Sequence, residues 1–338
     1  MDLYLECLAK EAENYRAPEV KSIYVGGGTP AYLSSLQLQR LAESIRSNFK
    51  FSSGIEWTLE ANPEGLDLKK AKLIKELGVN RVSLGIQSLN DRYLKYLGRV
   101  HDRRTAVGAF NILREAGFDN INVDLMYAFP QQTQGELKKD LEEVANLNSD
   151  HISLYTLTIE KNSRFFVQKV HPKENRDEAK FYLNVLRFIE DRGFKQYEVS
   201  SFAKAGKESR HNLNYWHGGN YIGLGMGAHS HLSGKRFWNA ARLSLYLARM
   251  REGQSPVEGS EELTRDERFK ERLLFGLRMN KGVNLTSLES DLGCSLAEEK
   301  QTQIADYIKE GFLTQKGEYL KTTLKGRLLL DELSSRLI

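Results

Sequence analysis

Ser22-Ile23-Tyr24-Val25-Gly26-Gly27-Gly28-Thr29-Pro30 is the stretch that decides the fold. Ile, Tyr and Val favour an extended, half-buried strand, and three glycines break it at once. Without side chains the glycines leave backbone N–H and C=O groups bare, so a ligand can approach them closely. A tight strand-to-helix turn has the same composition. No Gly-Lys-Ser/Thr and no G-x-G-x-x-G follows, which excludes a phosphate loop and a dinucleotide fingerprint.

Outward from this turn the pattern repeats. Runs rich in Val, Ile, Leu, Tyr or Trp at residues 22–25, 56–60, 81–87, 120–127, 151–157 and 196–200 read as strands. Amphipathic stretches at 36–49, 68–77, 104–116, 135–147 and 177–192 read as helices, and Gly78, Gly117 and Gly193 stop three of them. Repeated βα units imply parallel strands with helical crossovers, an α/β protein. A helix at 2–14, with Leu3, Leu5, Leu8 and Ala12 among Glu and Lys, precedes the first strand, so a further strand is expected upstream.

The bulk composition is that of a globular protein: 338 residues, 40% hydrophobic and 28% charged. Lys and Arg number 49 against 45 Asp and Glu, a net charge of +4 that is too small and too mixed to argue for nucleic acid. No apolar run approaches the ~20 residues of a membrane span. Met1-Asp2-Leu3-Tyr4-Leu5-Glu6-Cys7 has neither a basic nor an apolar signal region. Two distant cysteines, Cys7 and Cys294, make no disulfide framework, so a cytoplasmic location is expected.

Active sites of βα barrels gather at the C-terminal ends of the strands. The polar residues expected there are Gly27, Gly28 and Thr29, then Glu60, Gln87, Asp124 and the Tyr155–Glu160 segment. Asp124 lies between Val123 and Leu125, and a carboxylate in an apolar strand needs a partner or a ligand. Singly, each of these is more readily a structural residue; on successive strands they point to one rim.

From about residue 203 the texture becomes rich in Gly, Asn, His, Trp and Tyr, followed by a helix near 240–252. His211-Asn212-Leu213-Asn214-Tyr215-Trp216-His217 offers nitrogen and phenol ligands for heme iron and rings to stack on a macrocycle. His229 and His231, two apart, would share one face of a strand, but no third histidine or carboxylate follows to complete a zinc site. From residue 263 the order of helices, β-ribbon and last helix (324–337) resembles a winged helix. Its second helix, 285–291, carries no basic residue, so a docking module is expected rather than a DNA reader.

In order, GGGTP at 26–30, EANPE at 60–64, NRVSLGIQS at 80–88, LGRVH at 97–101, INVDLMYAFPQQT at 121–133 and GLGMGAHSH at 223–231 resemble the oxygen-independent coproporphyrinogen III oxidase-like radical SAM family, from about residue 20 to the end. HNLNYW at 211–216 fits the HNxxYW pattern of the heme-chaperone branch. The resemblance implies a partial (βα)6 TIM-like radical SAM barrel over 1–202, a segment at 203–262 covering it, and a C-terminal α+β, winged-helix-like domain at 263–338. It implies S-adenosylmethionine (SAM) contacts at Gly27, Gly28, Thr29, Glu60, Gln87, Arg99, Asp124, Thr158 and His229, and heme contacts at His211, Tyr215 and Trp216. It also implies a 4Fe–4S cluster on a CxxxCxxC loop after the first strand, yet neither Cys7 nor Cys294 lies in such a motif. An upstream truncation that removed both first strand and cluster loop is the expectation; a cluster-free descendant is the alternative. The implied function is heme binding and delivery to acceptor proteins, respiratory ones among them, with peripheral membrane association allowed. The alternatives are oxidative decarboxylation of coproporphyrinogen III and a scaffold with neither activity.

Overall fold

A computed structural model describes residues 1–15, 19–161, 163–171, 173 and 175–337. The chain divides into two compact units: Ser22–Ser35 with Ile55–Glu208, and Met1–Lys21 with Leu36–Gly54 and Ser209–Ile338.

Seven strands form one sheet among the described residues: β1 (Val20–Val25), β2 (Phe51–Ala61), β3 (Arg81–Gln87), β4 (Ile121–Tyr127), β5 (His151–Thr156), β6 (Lys195–Glu198) and β7 (Ser201–Ala203). Their order is β1-β2-β3-β4-β5-β7-β6, and β2 to β5 pair parallel in sequence order. This is the expected α/β half-barrel. β3 is buried at every position up to its last, as strands covered on both faces must be. The crossover helices bury one stripe each. Arg103–Glu115 buries Ala106, Ala109, Phe110 and Leu113, three and four residues apart. Asp67, Asp102 and Thr133 cap their helices by accepting from backbone N–H groups, and Gly78 and Gly117, at φ +91° and +87°, close the first two of these at the other end.

The sheet departs from the expected pattern at its far edge. The stretch read as one strand at 196–200 is a hairpin, with β7 antiparallel to both β5 and β6. Only Val199 and Ser200 separate β6 from β7, too few residues for a crossover, so the chain can only reverse.

In the other unit, β8 (His229–Leu232), β9 (Lys235–Asn239) and β10 (Val257–Glu262) form an antiparallel sheet, and β11 (Val283–Asn284), β12 (Leu313–Lys316) and β13 (Tyr319–Thr322) form a small ribbon. Residues 210–216, read from sequence only as part of an irregular segment, fold into the Arg210–Trp216 helix, whose N-cap Ser209 accepts from the Asn212 N–H. The last helix is broken into Leu324–Arg327 and Leu330–Leu337.

The first helix, Asp2–Glu13, belongs to this second unit, and it buries a carboxylate. Glu11 accepts from the Gly225 N–H at 2.8 Å, Asn239 Nδ2 at 2.5 Å and Tyr246 Oη at 2.7 Å. Gly225 sits at φ +100°, where a Cβ would lie 2.3 Å from the Tyr4 hydroxyl. Burial pushes the Glu11 carboxyl up, while its three donors oppose the shift.

All three Glu11 partners donate, so an amide in its place would turn one N–H group against Asn239. Glu11→Gln is expected to lower the unfolding free energy by about 1–3 kcal/mol in urea titrations. A second expectation concerns pH. Asp140, 6% exposed, accepts from Ser88 Oγ at 2.5 Å. Burial pushes its carboxyl from 3.8 up to about 6, with the Ser88 hydroxyl and Leu89 N–H opposing and Glu143 and Glu136 adding to the rise. The folded chain thus holds this proton more tightly than the unfolded chain. The resulting stabilisation, ~3 kcal/mol at most, is complete below the unfolded value and lost as pH rises through about 6. Asp140→Asn should flatten the stability profile between pH 4 and 7; an unchanged slope would show that Asp140 does not titrate there.

Candidate functional site

The rim begins at the glycines after β1. A Cβ on Gly26 would lie 2.7 Å from Glu60 Cδ, so only glycine lets the Glu60 side chain pass. Gly27, at φ +82°, and Gly28 have nothing within 4 Å of where a Cβ would be, and their backbone faces open space. Glu60, at the end of β2, accepts from Tyr24 Oη at 2.7 Å and from the Gly27 N–H. Burial pushes its carboxyl up and the charge of Asp124 adds to the effect. Thr29 and Arg99 meet through a residue the sequence did not single out. Asn62 Nδ2 donates to Thr29 Oγ1 at 2.9 Å, and Arg99 Nη1 donates to Asn62 Oδ1 at 3.2 Å.

Gln87, the last residue of β3, takes φ +68° without being a glycine, a conformation that persists only where its surroundings enforce it. The neighbouring carbonyl is held from outside. His101 Nε2 bonds to the Ile86 oxygen at 3.1 Å, while its Nδ1 faces Glu64 Oε2 at 3.1 Å. Burial opposes ionisation of Glu64, but its own backbone N–H, the Tyr32 hydroxyl and His101 together bring the carboxyl below its usual range.

Asp124 is held from beneath. Its Oδ2 accepts from Ser83 Oγ at 2.9 Å and its Oδ1 from Asn122 Nδ2 at 2.8 Å. Asn122 Nδ2 also donates to Ser83 Oγ at 2.7 Å, and its oxygen accepts from Ser153 Oγ at 3.1 Å and His151 Nδ1 at 2.6 Å. Burial, then the charge of Arg81, holds His151 well below its usual range, hence neutral; its Nδ1 carries the proton and its Nε2 accepts from Tyr197 Oη at 2.7 Å. Burial also pushes the Asp124 carboxyl up, against the hydrogen bonds of Ser83 and Asn122. The register explains the cluster: Ser83 pairs with Asn122, Asn122 with His151, and Asp124 with Ser153. Polar residues two apart in otherwise apolar strands were the available signal, since such residues share a face.

Thr158 is exposed, just past the end of β5. His229 lies in the other unit, exposed on β8, with its ring stacked 5.9 Å from that of Trp238.

In that unit the Arg210–Trp216 helix brings two of the three expected heme residues together. His211 Nε2 and Tyr215 Oη lie 3.1 Å apart, with rings edge-to-face at 4.9 Å. Tyr221 stands against Tyr215 at 4.6 Å. Trp216 points elsewhere, packing on Phe275 at 5.9 Å and under the Arg278 guanidinium at 4.5 Å. Successive residues of a helix cannot share one face, which separates Trp216 from its neighbour Tyr215.

The thiols do not fit an iron–sulfur cluster. Cys7 is buried with Ala240, Tyr246 and Met250, and Cys294 is half-buried near the Arg265 carbonyl. Among the described residues no three His, Cys, Asp or Glu side chains are grouped to hold a metal ion.

Replacing the central amide by a carboxylate tests the packing under Asp124. Asn122→Asp sets two carboxylates together and removes the donor to Asp124. It is expected to cost about 3 kcal/mol at pH 8, partly recovered on acidification as one carboxyl takes a proton. Chemical denaturation at pH 8 and pH 5 checks both halves.

Sequence profiles match two regions: the Radical SAM superfamily over residues 2–144 and the HemN C-terminal domain over residues 263–329. The heme chaperone HemW of Bacillus subtilis (strain 168) is 36% identical over 341 residues, covering 98% of this chain and 90% of that protein. Heme chaperone HemW of Escherichia coli (strain K12) is 32% identical over 348 residues, covering 98% and 89%. The solved structure of coproporphyrinogen III oxidase (HemN) from Escherichia coli, a radical SAM enzyme, has a TM-score of 0.87 over 99% of this chain and 82% of its own at 23% identity, a likeness of fold. With relatives this similar over nearly their whole length, the chain belongs to the HemW heme chaperone family.

Proposed function

We infer that this chain binds heme and hands it to heme-accepting proteins, respiratory ones among them, from the cytoplasm. The observation that carries the reading is the pairing of His211 with Tyr215 on a capped helix, with Tyr221 behind them, in a chain whose relatives are named heme chaperones. A porphyrin offers an apolar face for aromatic rings and an iron for a nitrogen or phenol ligand. The relatives' names favour this reading over the oxidase. No described helix is long and apolar enough to cross a membrane.

The rim of the first unit fits SAM. Gly27 and Gly28 present bare backbone, and Gly26 leaves room for Glu60. Two carboxylates, Glu60 and Asp124, suit the amino group and ribose hydroxyls. Thr29, Gln87 and Thr158 add neutral polar groups, and the Arg99 guanidinium suits the methionine carboxylate. SAM supplies a cationic sulfonium whose cleavage, in this superfamily, needs an electron from a cluster. The thiols of this chain do not fit that cluster, so no step is derived through it.

Titrating the purified chain with hemin should give saturable one-to-one binding with a Soret band distinct from free hemin. His211→Ala should weaken it about tenfold, ~1.4 kcal/mol. Hemin spectra identical with and without protein would sink the reading; unchanged affinity in His211→Ala would remove that residue from the site.

A further inference from the structure

The heme-binding reading leaves open which atom would hold the iron. His211 carries the obvious imidazole, but its Nε2 already faces the Tyr215 hydroxyl at 3.1 Å. A second histidine, absent from the expected heme set, is better prepared. His231 lies on β8 in the GLGMGAHSH stretch, and its backbone pairs with that of Tyr221 through two hydrogen bonds of 2.9 Å. The bridge sets the His231 ring 6.1 Å from the Tyr221 ring, which stands against Tyr215 at 4.6 Å, which stands against His211 at 4.9 Å. The two segments that sequence reading singled out separately thus form one aromatic row.

Within that row the two nitrogens of His231 differ. Nδ1 bonds to the Gly219 carbonyl at 3.2 Å. A carbonyl only accepts, so Nδ1 carries a ring proton, and in the neutral ring Nε2 keeps a lone pair. Nε2 is shielded from solvent and has no hydrogen-bond partner. Buried polar atoms without a partner are rare in folded proteins and call for an explanation, such as a ligand. A ring N–H donated to a backbone carbonyl is also how metal-bound histidines are oriented, because it fixes the tautomer and raises the basicity of the other nitrogen.

The carbonyl that does this is itself positioned. The Gly219 N–H donates to the Asn214 backbone oxygen at 2.9 Å, and Asn214 Nδ2 donates to the Asn220 oxygen at 3.0 Å. A Cβ on Gly219 would lie 2.1 Å from Asn214 Oδ1, so the turn closes this tightly only as glycine. The second asparagine of HNLNYW therefore sets the turn that aims His231.

We propose that His231 Nε2 would ligate the heme iron, with Tyr215 and Tyr221 supplying ring contacts and Asn214 acting as a positioning residue. The proposal rests on the heme-chaperone reading. Because Nε2 is shielded, capture of heme by this nitrogen requires local opening.

The test titrates the full chain with hemin and reads the Soret position together with the spin state by resonance Raman. His231→Gln keeps the size and can still donate to the Gly219 carbonyl, which guards against misfolding; its circular dichroism melt should match wild type. The expected result is loss of the wild-type spectral signature, binding weakened by about tenfold or more, and return of the signature on adding free imidazole. His211→Ala should weaken binding while keeping the signature. A wild-type spectrum in His231→Gln, or a changed one that imidazole does not restore, would overturn the assignment while leaving heme binding intact. Wild-type chain that binds no hemin would overturn the chaperone reading and this assignment together.

Discussion

One side-chain amide organises the interior of the half-barrel. Asn122 uses its whole hydrogen-bonding capacity, with two donors given to Asp124 and Ser83 and its oxygen taking two, from His151 and Ser153. A parallel sheet buried on both faces usually fills its interior with aliphatic side chains. Here the row Ser83–Asn122–His151 crosses three strands in register and carries Asp124 above it. Such a network is tolerable only when every member is satisfied, because an unpaired group in a low-dielectric interior is costly. Its satisfaction fixes the amide orientation, the histidine tautomer and the direction of the carboxylate at once.

The second unit is held by a comparable device. Glu11 gathers a backbone N–H, an amide and a phenol from segments more than 200 residues away. Those contacts secure the Gly223–His231 stretch at Gly225 and the following strand, β9, at Asn239. They also assign the first helix to the unit formed by the C-terminal half of the chain rather than to the strands that follow it. In both units a buried polar group surrounded by complementary partners sets the position of a segment that carries candidate residues.

The rim gathers bare glycine backbone with the Glu60 and Asp124 carboxylates, while the two thiols sit apart, one in a packed core and one near a helix end. The aromatic row of the second unit needs no thiol. The candidate residues for heme and for SAM, His229 aside, fall in different units.

Much of the fold was legible in the order of residues. Alternating apolar runs and amphipathic stretches, with glycines closing the helices, placed β1 to β5 and their crossovers, because period and punctuation are local properties of the chain. The strand-end motifs also marked Thr29, Glu60, Arg99 and Asp124. What they could not mark is how those residues are held, since Asn62, Ser83, His151 and Tyr197 become neighbours only through strand register and loop closure. The antiparallel β6–β7 edge, the inward turn of Glu11 and the separation of Trp216 from Tyr215 belong to the same class. Sequence determined the alternation of strands and crossover helices over β1 to β5. Only the tertiary structure decided which polar atoms find partners and which, like His231 Nε2, are left without one, because hydrogen-bond satisfaction depends on distances between segments that are far apart along the chain.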